Sequence, residues 1–193
     1  MKLAYVHGFN GSHCGNSVNY LKVALPDGWS IDGIEYDEKN LTCEQVRNLI
    51  YDYVEANNID ILIGTSLGGF YLSTITDIPK VIINPCWNPI EELPKLDDVD
   101  TAWLSSFEKY LDYPYMSDTE TKLMTLGYFG SHDELFGNKY HSVFNSCFGD
   151  SKVIDCGHQI NQDCAFIIMD DIKNVLCKRI KLLSDYDTTM NNT

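Results

Sequence analysis

Basic residues are scarce in this chain: 14 Lys and Arg stand against 28 Asp and Glu, for a formal net charge of -14 at pH 7. A nucleic-acid partner needs a basic footprint to neutralise phosphates, so none is expected. The densest basic group, Lys173, Lys178, Arg179 and Lys181, falls in a helical pattern near the C-terminal end, where cations suit a helix dipole. Long apolar runs are also missing. No stretch approaches the roughly 18 to 20 residues that span a bilayer, so we expect no membrane span. Paired cysteine spacing is missing too. The seven cysteines, at 14, 43, 86, 147, 156, 164 and 177, are odd in number and never C-x-x-C. With no leader expected ahead of the strand-like run at 2–6, this implies free thiols in a reducing cytoplasm. Cys156, His158 and Cys164 match no usual zinc spacing, so no metal is expected. There is neither G-x-G-x-x-G nor Gly-Lys-Ser/Thr, which argues against a phosphate cradle and a nucleotide cofactor. Internal repeats, linkers and low-complexity tracts are not found either.

What remains is an ordinary globular composition, 44% hydrophobic and 22% charged over 193 residues, enough for one domain with its own core. Short apolar runs at 2–6, 29–34, 59–63, 81–83, 123–129 and 152–154 read as strands. Helical spacing lies between them, at 16–25, 42–56, after Ser66, around 139–147 and over 165–183. Thr42-Cys43-Glu44-Gln45 has the form of a capping box. Strands alternating with helices predict an α/β fold, a mostly parallel sheet of about six strands covered on both faces. Residues 85–121 break the alternation with two tryptophans, several tyrosines and many acids, and read as a cap-like insertion over the C-terminal edge of the sheet. We expect a single domain over 1–184 and a disordered polar tail over 185–193.

The run Gly64-Thr65-Ser66-Leu67-Gly68 is G-x-S-x-G at a strand-to-helix turn. A serine at the tip of such a turn is held in strained backbone, and only small residues fit two positions to either side. The motif alone fits either a nucleophile or a tight structural turn. A nucleophilic serine also needs a histidine base and an acid to orient it, in the order serine, acid, histidine on post-strand loops. Asp133, in GSHDEL, and His158, in DCGHQ, follow the fifth and sixth strands in that order. Glu134 is the main rival to Asp133, with Asp155 behind it, and His132 competes with His158. The backbone amides of Phe9, in HGFN after the first strand, and of Leu67 are the candidates for an oxyanion hole. Asn10 and Trp87 are expected to line the substrate site, Asn84 to be structural or site-lining, and Phe9, Tyr71, Trp87 and the 85–121 segment to form an apolar acyl pocket.

The stretches AYVHGFNGS, IGTSLGGFY, VIINPCWNPIEELP, GSHDELF and VIDCGHQI, in this order from residue 4 to 160, resemble the α/β-hydrolases, and specifically the small bacterial YqiA-type esterases of the UPF0227 group. The resemblance implies a compact α/β-hydrolase fold, esterase activity on small-molecule acyl esters, no cofactor, and a triad carried onto Ser66, Asp133 and His158. A thioesterase would use the same residues, and a hydrolase-fold binding protein would keep them with little turnover. The chain departs from the resemblance at DCGHQ, where those esterases tend to carry Gly-Gly-Asn/Asp-His, and over 97–121.

Overall fold

Four apolar strands with no polar face can only be buried on both sides, and the computed structural model arranges them so. It describes the backbone of residues 1–190 and the side chains of residues 1–186. The strands are β1 (Lys2–Val6), β2 (Ser30–Gly33), β3 (Ile61–Thr65), β4 (Lys80–Ile83), β5 (Thr125–Gly130) and β6 (Ser151–Ile154). Among the described residues they form one sheet in the order β2-β1-β3-β4-β5-β6. Every neighbouring pair is parallel.

Strand alternation divides the core between the two faces. Ala4, Val6, Leu62, Ile82 and Phe129 point to one side. Leu3, Tyr5, Ile61, Ile63, Val81, Ile83, Leu126 and Tyr128 point to the other. Helices α2 (Cys43–Asn57), α3 (Leu67–Ser73) and α7 (His141–Cys147) supply the first layer. Helices α1 (Asn16–Val23), α8 (Gln162–Asp171) and α9 (Cys177–Met190) belong to the second. The Thr42 hydroxyl accepts from the Gln45 amide at 3.3 Å, and Gln45 Oε1 accepts from the Thr42 amide at 2.8 Å, so the capping box read from the sequence starts α2.

The segment between β4 and β5 holds α4 (Pro89–Glu92), α5 (Thr101–Ser105), α6 (Thr119–Leu123) and three short 3₁₀ turns. Most of its rings face inward, with Tyr115 exposed. Phe107 is fully buried and stacks 6.0 Å from Tyr71, Trp103 lies edge-on to Phe107 at 4.9 Å, and Trp103 Nε1 donates to Leu41 O at 2.8 Å. This stretch takes the place of a single crossover helix and extends the α2–α3 face of the core. The C-terminal helix reaches further than its sequence pattern. It passes through a π-turn at Ile172–Leu176 and continues as α9 to Met190, into the tail expected to be disordered from 185; residues 191–193 lie outside the described residues.

Among the described residues no helix is long and apolar enough to cross a membrane. All seven cysteines are free thiols; Cys14 is exposed, Cys177 half-buried and the other five are buried.

Candidate active site

β1 sends its chain to β2 on one side, and β3 then opens the run toward β6 on the other. The crevice between β1 and β3 is therefore the topological switch point, where ligands of open α/β sheets bind. Two loops meet there. One follows β1 and carries Gly8, Phe9 and Asn10; the other is the turn from β3 into α3, with Ser66 at its tip.

Ser66 has φ 53° and ψ -119°, a conformation that L residues other than glycine rarely adopt. The flanking glycines explain how the chain reaches it. A Cβ on Gly64 would meet Gly68 O at 2.6 Å, and one on Gly68 would meet the carbonyl oxygens of Val6 and His7 at 2.1 Å and 2.6 Å. Backbone cannot move aside as a flexible side chain can, so both positions exclude every larger residue. Ser66 is pinned by its own backbone: its amide donates to Ile83 O at 3.0 Å, and its carbonyl accepts from Phe70 at 3.1 Å and Cys86 at 3.0 Å. The hydroxyl stays at the cavity.

The acid and the histidine reach the same edge of the sheet from β5 and β6. His158 Nδ1 lies 3.1 Å and 3.2 Å from the two carboxylate oxygens of Asp133, whose side chain is only 1% exposed. Asp133 Oδ1 also accepts the amides of Leu135 at 2.9 Å and Phe136 at 3.0 Å. Burial acts to raise this carboxyl, but the His158 contact and those two amides outweigh it and hold it below the usual range. An ionised Asp133 can only accept, so the proton of a neutral His158 belongs on Nδ1 and its Nε2 is left free to take one. The ring of Phe136 stands edge-on to the imidazole at 4.9 Å and limits its rotation.

The rivals sit elsewhere. Glu134 Oε2 accepts the backbone amide of His158 at 2.9 Å, so it holds the loop and not the ring. His132 is largely exposed and pairs with the equally exposed Asp155 at 3.2 Å.

Ser66 and His158 line one cavity of about 310 Å³, with Phe9 and Asn10 from the β1 loop. Among the described residues no hydrogen bond joins Ser66 to His158, whose Nδ1 is engaged by Asp133. The Asn10 amide is taken by Glu38 Oε1 at 2.8 Å, and the Gly11 amide by Gly8 O at 2.9 Å. Among the hydrogen bonds of the described residues the amides of Phe9 and Leu67 have no acceptor. His7 is scaffold: 3% exposed, it stacks 4.1 Å from Tyr36, whose hydroxyl donates to His7 O.

Trp87 and Tyr71, expected to line it, do not, and Asn84 takes the structural one of its two expected roles. Trp87 is buried edge-on to Phe144 at 6.1 Å and Phe148 at 6.3 Å, and Tyr71 is fully buried in the same core. Large rings near a site satisfy an apolar core as readily as a pocket, and here packing takes them. Asn84 is 1% exposed and spends its side chain on backbone: Nδ2 donates to His158 O at 2.8 Å and Gly157 O at 3.1 Å, while Oδ1 accepts Gly130 N at 2.7 Å. With φ 42° it occupies the left-handed region that asparagine tolerates best after glycine. Sequence reasoning missed Tyr5, Thr65 and Ser17, which do line the cavity. Tyr5 reads as an ordinary strand residue, and only the position of Thr65 beside the motif serine could have drawn notice.

The sequence profile of the Uncharacterised protein family (UPF0227) matches residues 2–137. This chain is a member of UPF0227. No curated protein matches it significantly. Several solved structures resemble the UPF0227 chain in fold. Est1E from Butyrivibrio proteoclasticus, with ferulic acid bound, superposes with a TM-score of 0.65 at 13% identity, over 93% of this chain and 89% of that one. TT1662 from Thermus thermophilus gives 0.64 at 14% identity, over 91% and 88%. YbtT, a type II thioesterase from the yersiniabactin pathway, gives 0.60 at 14% identity, over 92% and 93%. At such identities the likeness establishes the fold, and the UPF0227 chain has the α/β-hydrolase fold.

Proposed function

We propose that this UPF0227 chain is a serine hydrolase of the carboxylesterase type, acting on a small acyl ester. The observation that carries the reading is the Asp133 carboxylate bonded to His158 Nδ1 beside a cavity that also exposes the strained Ser66. Ser66 Oγ attacks the ester carbonyl as His158 Nε2 takes its proton. Collapse of the tetrahedral intermediate breaks the bond to the alcohol oxygen, which leaves with that proton. Water then gives a proton to His158, attacks the acyl-enzyme and releases the acid, and Ser66 recovers its proton. Asp133 fixes the imidazole and stabilises its cationic form. The amides of Phe9 and Leu67 hold the oxyanion, each contributing about 3 kcal/mol to the transition state.

Support comes from chemistry and from relatives of the fold. Est1E carries ferulic acid in its crystal, and YbtT is named a thioesterase, so thioesters are the second substrate class to test. One domain over 1–184 supplies every group in the scheme, which calls for no cofactor. Seven free thiols suit a reducing cytoplasm.

A fluorophosphonate probe tests the reading directly. Ser66 should be labelled in the folded protein, and Ser66→Ala should abolish both labelling and the hydrolysis of p-nitrophenyl acetate and butyrate. Turnover that survives Ser66→Ala refutes the mechanism. Binding without labelling favours a hydrolase-fold binding protein.

A further inference from the structure

With Trp87 and Tyr71 withdrawn into the core, the cavity beside Ser66 loses the apolar walls expected of an acyl pocket. Three of its lining residues carry hydroxyls that meet one another. Tyr5 is 3% exposed and Thr65 9%, and their hydroxyl oxygens lie 2.7 Å apart. Ser17, on the first turn of α1, places a third hydroxyl beside Tyr5. One O–H of the Tyr5–Thr65 pair donates within the pair, so the other has its acceptor outside it, in Ser17 or in a group that enters the cavity. Its large apolar residues are Phe9, Leu96 and Leu135, and the two leucines are each 42% exposed. No Asp, Glu, Lys or Arg lines the cavity. A charged substrate group would therefore lose its water with no ion to replace it, and an anion would also meet a chain of net charge -14. An alkyl chain would gain less for a different reason, since it offers these hydroxyls no further hydrogen-bond partner. At about 310 Å³ the space is also at the small end for ligand sites.

We propose that this cavity is a polar subsite that selects compact, neutral esters carrying a free hydroxyl group, on the acyl or the alcohol portion, over the alkyl esters of equal length. The inference rests on the serine-hydrolase reading, and it names Tyr5, Thr65 and Ser17 as specificity-determining residues. Substrate hydroxyls exchange hydrogen bonds with this cluster, while Leu96 and Leu135 cover the apolar remainder.

The test is a pH-indicator hydrolysis assay of the full chain on two matched pairs. Methyl 3-hydroxybutyrate is compared with methyl butyrate for the acyl portion, and glycerol monobutyrate with propyl butyrate for the alcohol portion. In at least one pair the hydroxylated ester should have a kcat/KM about tenfold higher, and the pair that responds says which portion enters the cavity. Ser17→Ala and Tyr5→Phe should each reduce that ratio severalfold, measured against the alkyl ester in the same preparation. A ratio below threefold in both pairs, with Ser66 still labelled by fluorophosphonate, overturns the polar subsite and leaves the hydrolase reading standing. A ratio that neither variant moves overturns the assignment to these hydroxyls. Failure of Ser66 to label or to turn over any of the four esters overturns both.

Discussion

Asn84 holds the loop of His158 from 74 residues away, through a 2.8 Å hydrogen bond from its side-chain amide to the histidine carbonyl. The same side chain fastens Gly157 and Gly130, so one buried amide joins the ends of β4, β5 and β6. Asn84→Ala removes three hydrogen bonds, one buried and two partly buried, and puts alanine at positive φ. It should cost roughly 3 kcal/mol of stability and slow turnover on p-nitrophenyl butyrate. Asn84→Asp is the sharper variant, because a carboxylate still accepts from Gly130 but repels the two carbonyls. A urea midpoint for Asn84→Asp equal to wild type would remove Asn84 as the positioning residue.

Asp133 and Glu134 are adjacent carboxylates with different partners, and kinetics can separate them. Asp133→Asn keeps its oxygen on the amides of Leu135 and Phe136, turns an NH2 donor toward His158 Nδ1 and so favours the wrong tautomer, and should lower kcat by roughly 10³-fold to 10⁴-fold. Glu134→Gln keeps an oxygen that can accept the His158 amide and should lower kcat by less than about tenfold. If Glu134→Gln is the more damaging of the two, the roles given to these acids are reversed.

Gly8 and Gly68 crowd the same serine in different ways. A Cβ on Gly68 runs into backbone oxygen at 2.1 Å, so Gly68→Ala should cost about 3 kcal/mol or more and give little folded protein. A Cβ on Gly8 would lie 2.7 Å from Ser66 Cβ, 3.1 Å from Thr65 O and 3.3 Å from Ser66 Oγ. Gly8→Ala should therefore lose less stability than Gly68→Ala, and lose most of its fluorophosphonate labelling rate. Equal loss of labelling and stability in both variants would falsify this distinction.

Glu92 links the β4–β5 crossover to the start of α7 through Lys95, Lys139 and the Tyr140 hydroxyl, the last at 2.7 Å. Burial opposes its charge, yet the bonds to Lys139, Tyr140 and Lys95 prevail and hold its carboxyl at about 2. A depressed carboxyl contributes stability that is fully present above its unfolded value, near 4.5, and is lost as pH falls toward 2. Allowing for the exposed lysines, the contribution is about 2 kcal/mol. Urea midpoints of wild type and Glu92→Gln should differ most at pH 6 and converge as the pH is lowered from 4.5 to 3. A gap that stays constant across this range would assign the effect to packing instead.

Much of the architecture was legible because the strands are buried on both faces. ILIGT and KVII are continuous apolar runs that suit little else between glycines and prolines. The order of Ser66, Asp133 and His158 along the chain also named the loops that the fold brings to one edge of the sheet. The interior of 85–121 was not legible, because helices of four or five residues and 3₁₀ turns show no period to read. The segment thus read as a cap-like insertion, although its Trp103 and Phe107 are core. The work of Asn84 was hidden for another reason: a side chain that bonds backbone 46 and 74 residues away leaves no local pattern. Tyr5 stayed silent because alternation along a strand says which face a ring takes, and nothing about what its hydroxyl meets.

The distribution of thiols offers a way to watch the site at work. Cys14 is the exposed cysteine, its sulfur 3.2 Å from the Ser12 hydroxyl in the loop that borders the cavity, while five of the others are buried. A maleimide dye added briefly at neutral pH would find this position first. The chain carries its own attachment point for a fluorescent reporter of substrate arrival, with no residue changed.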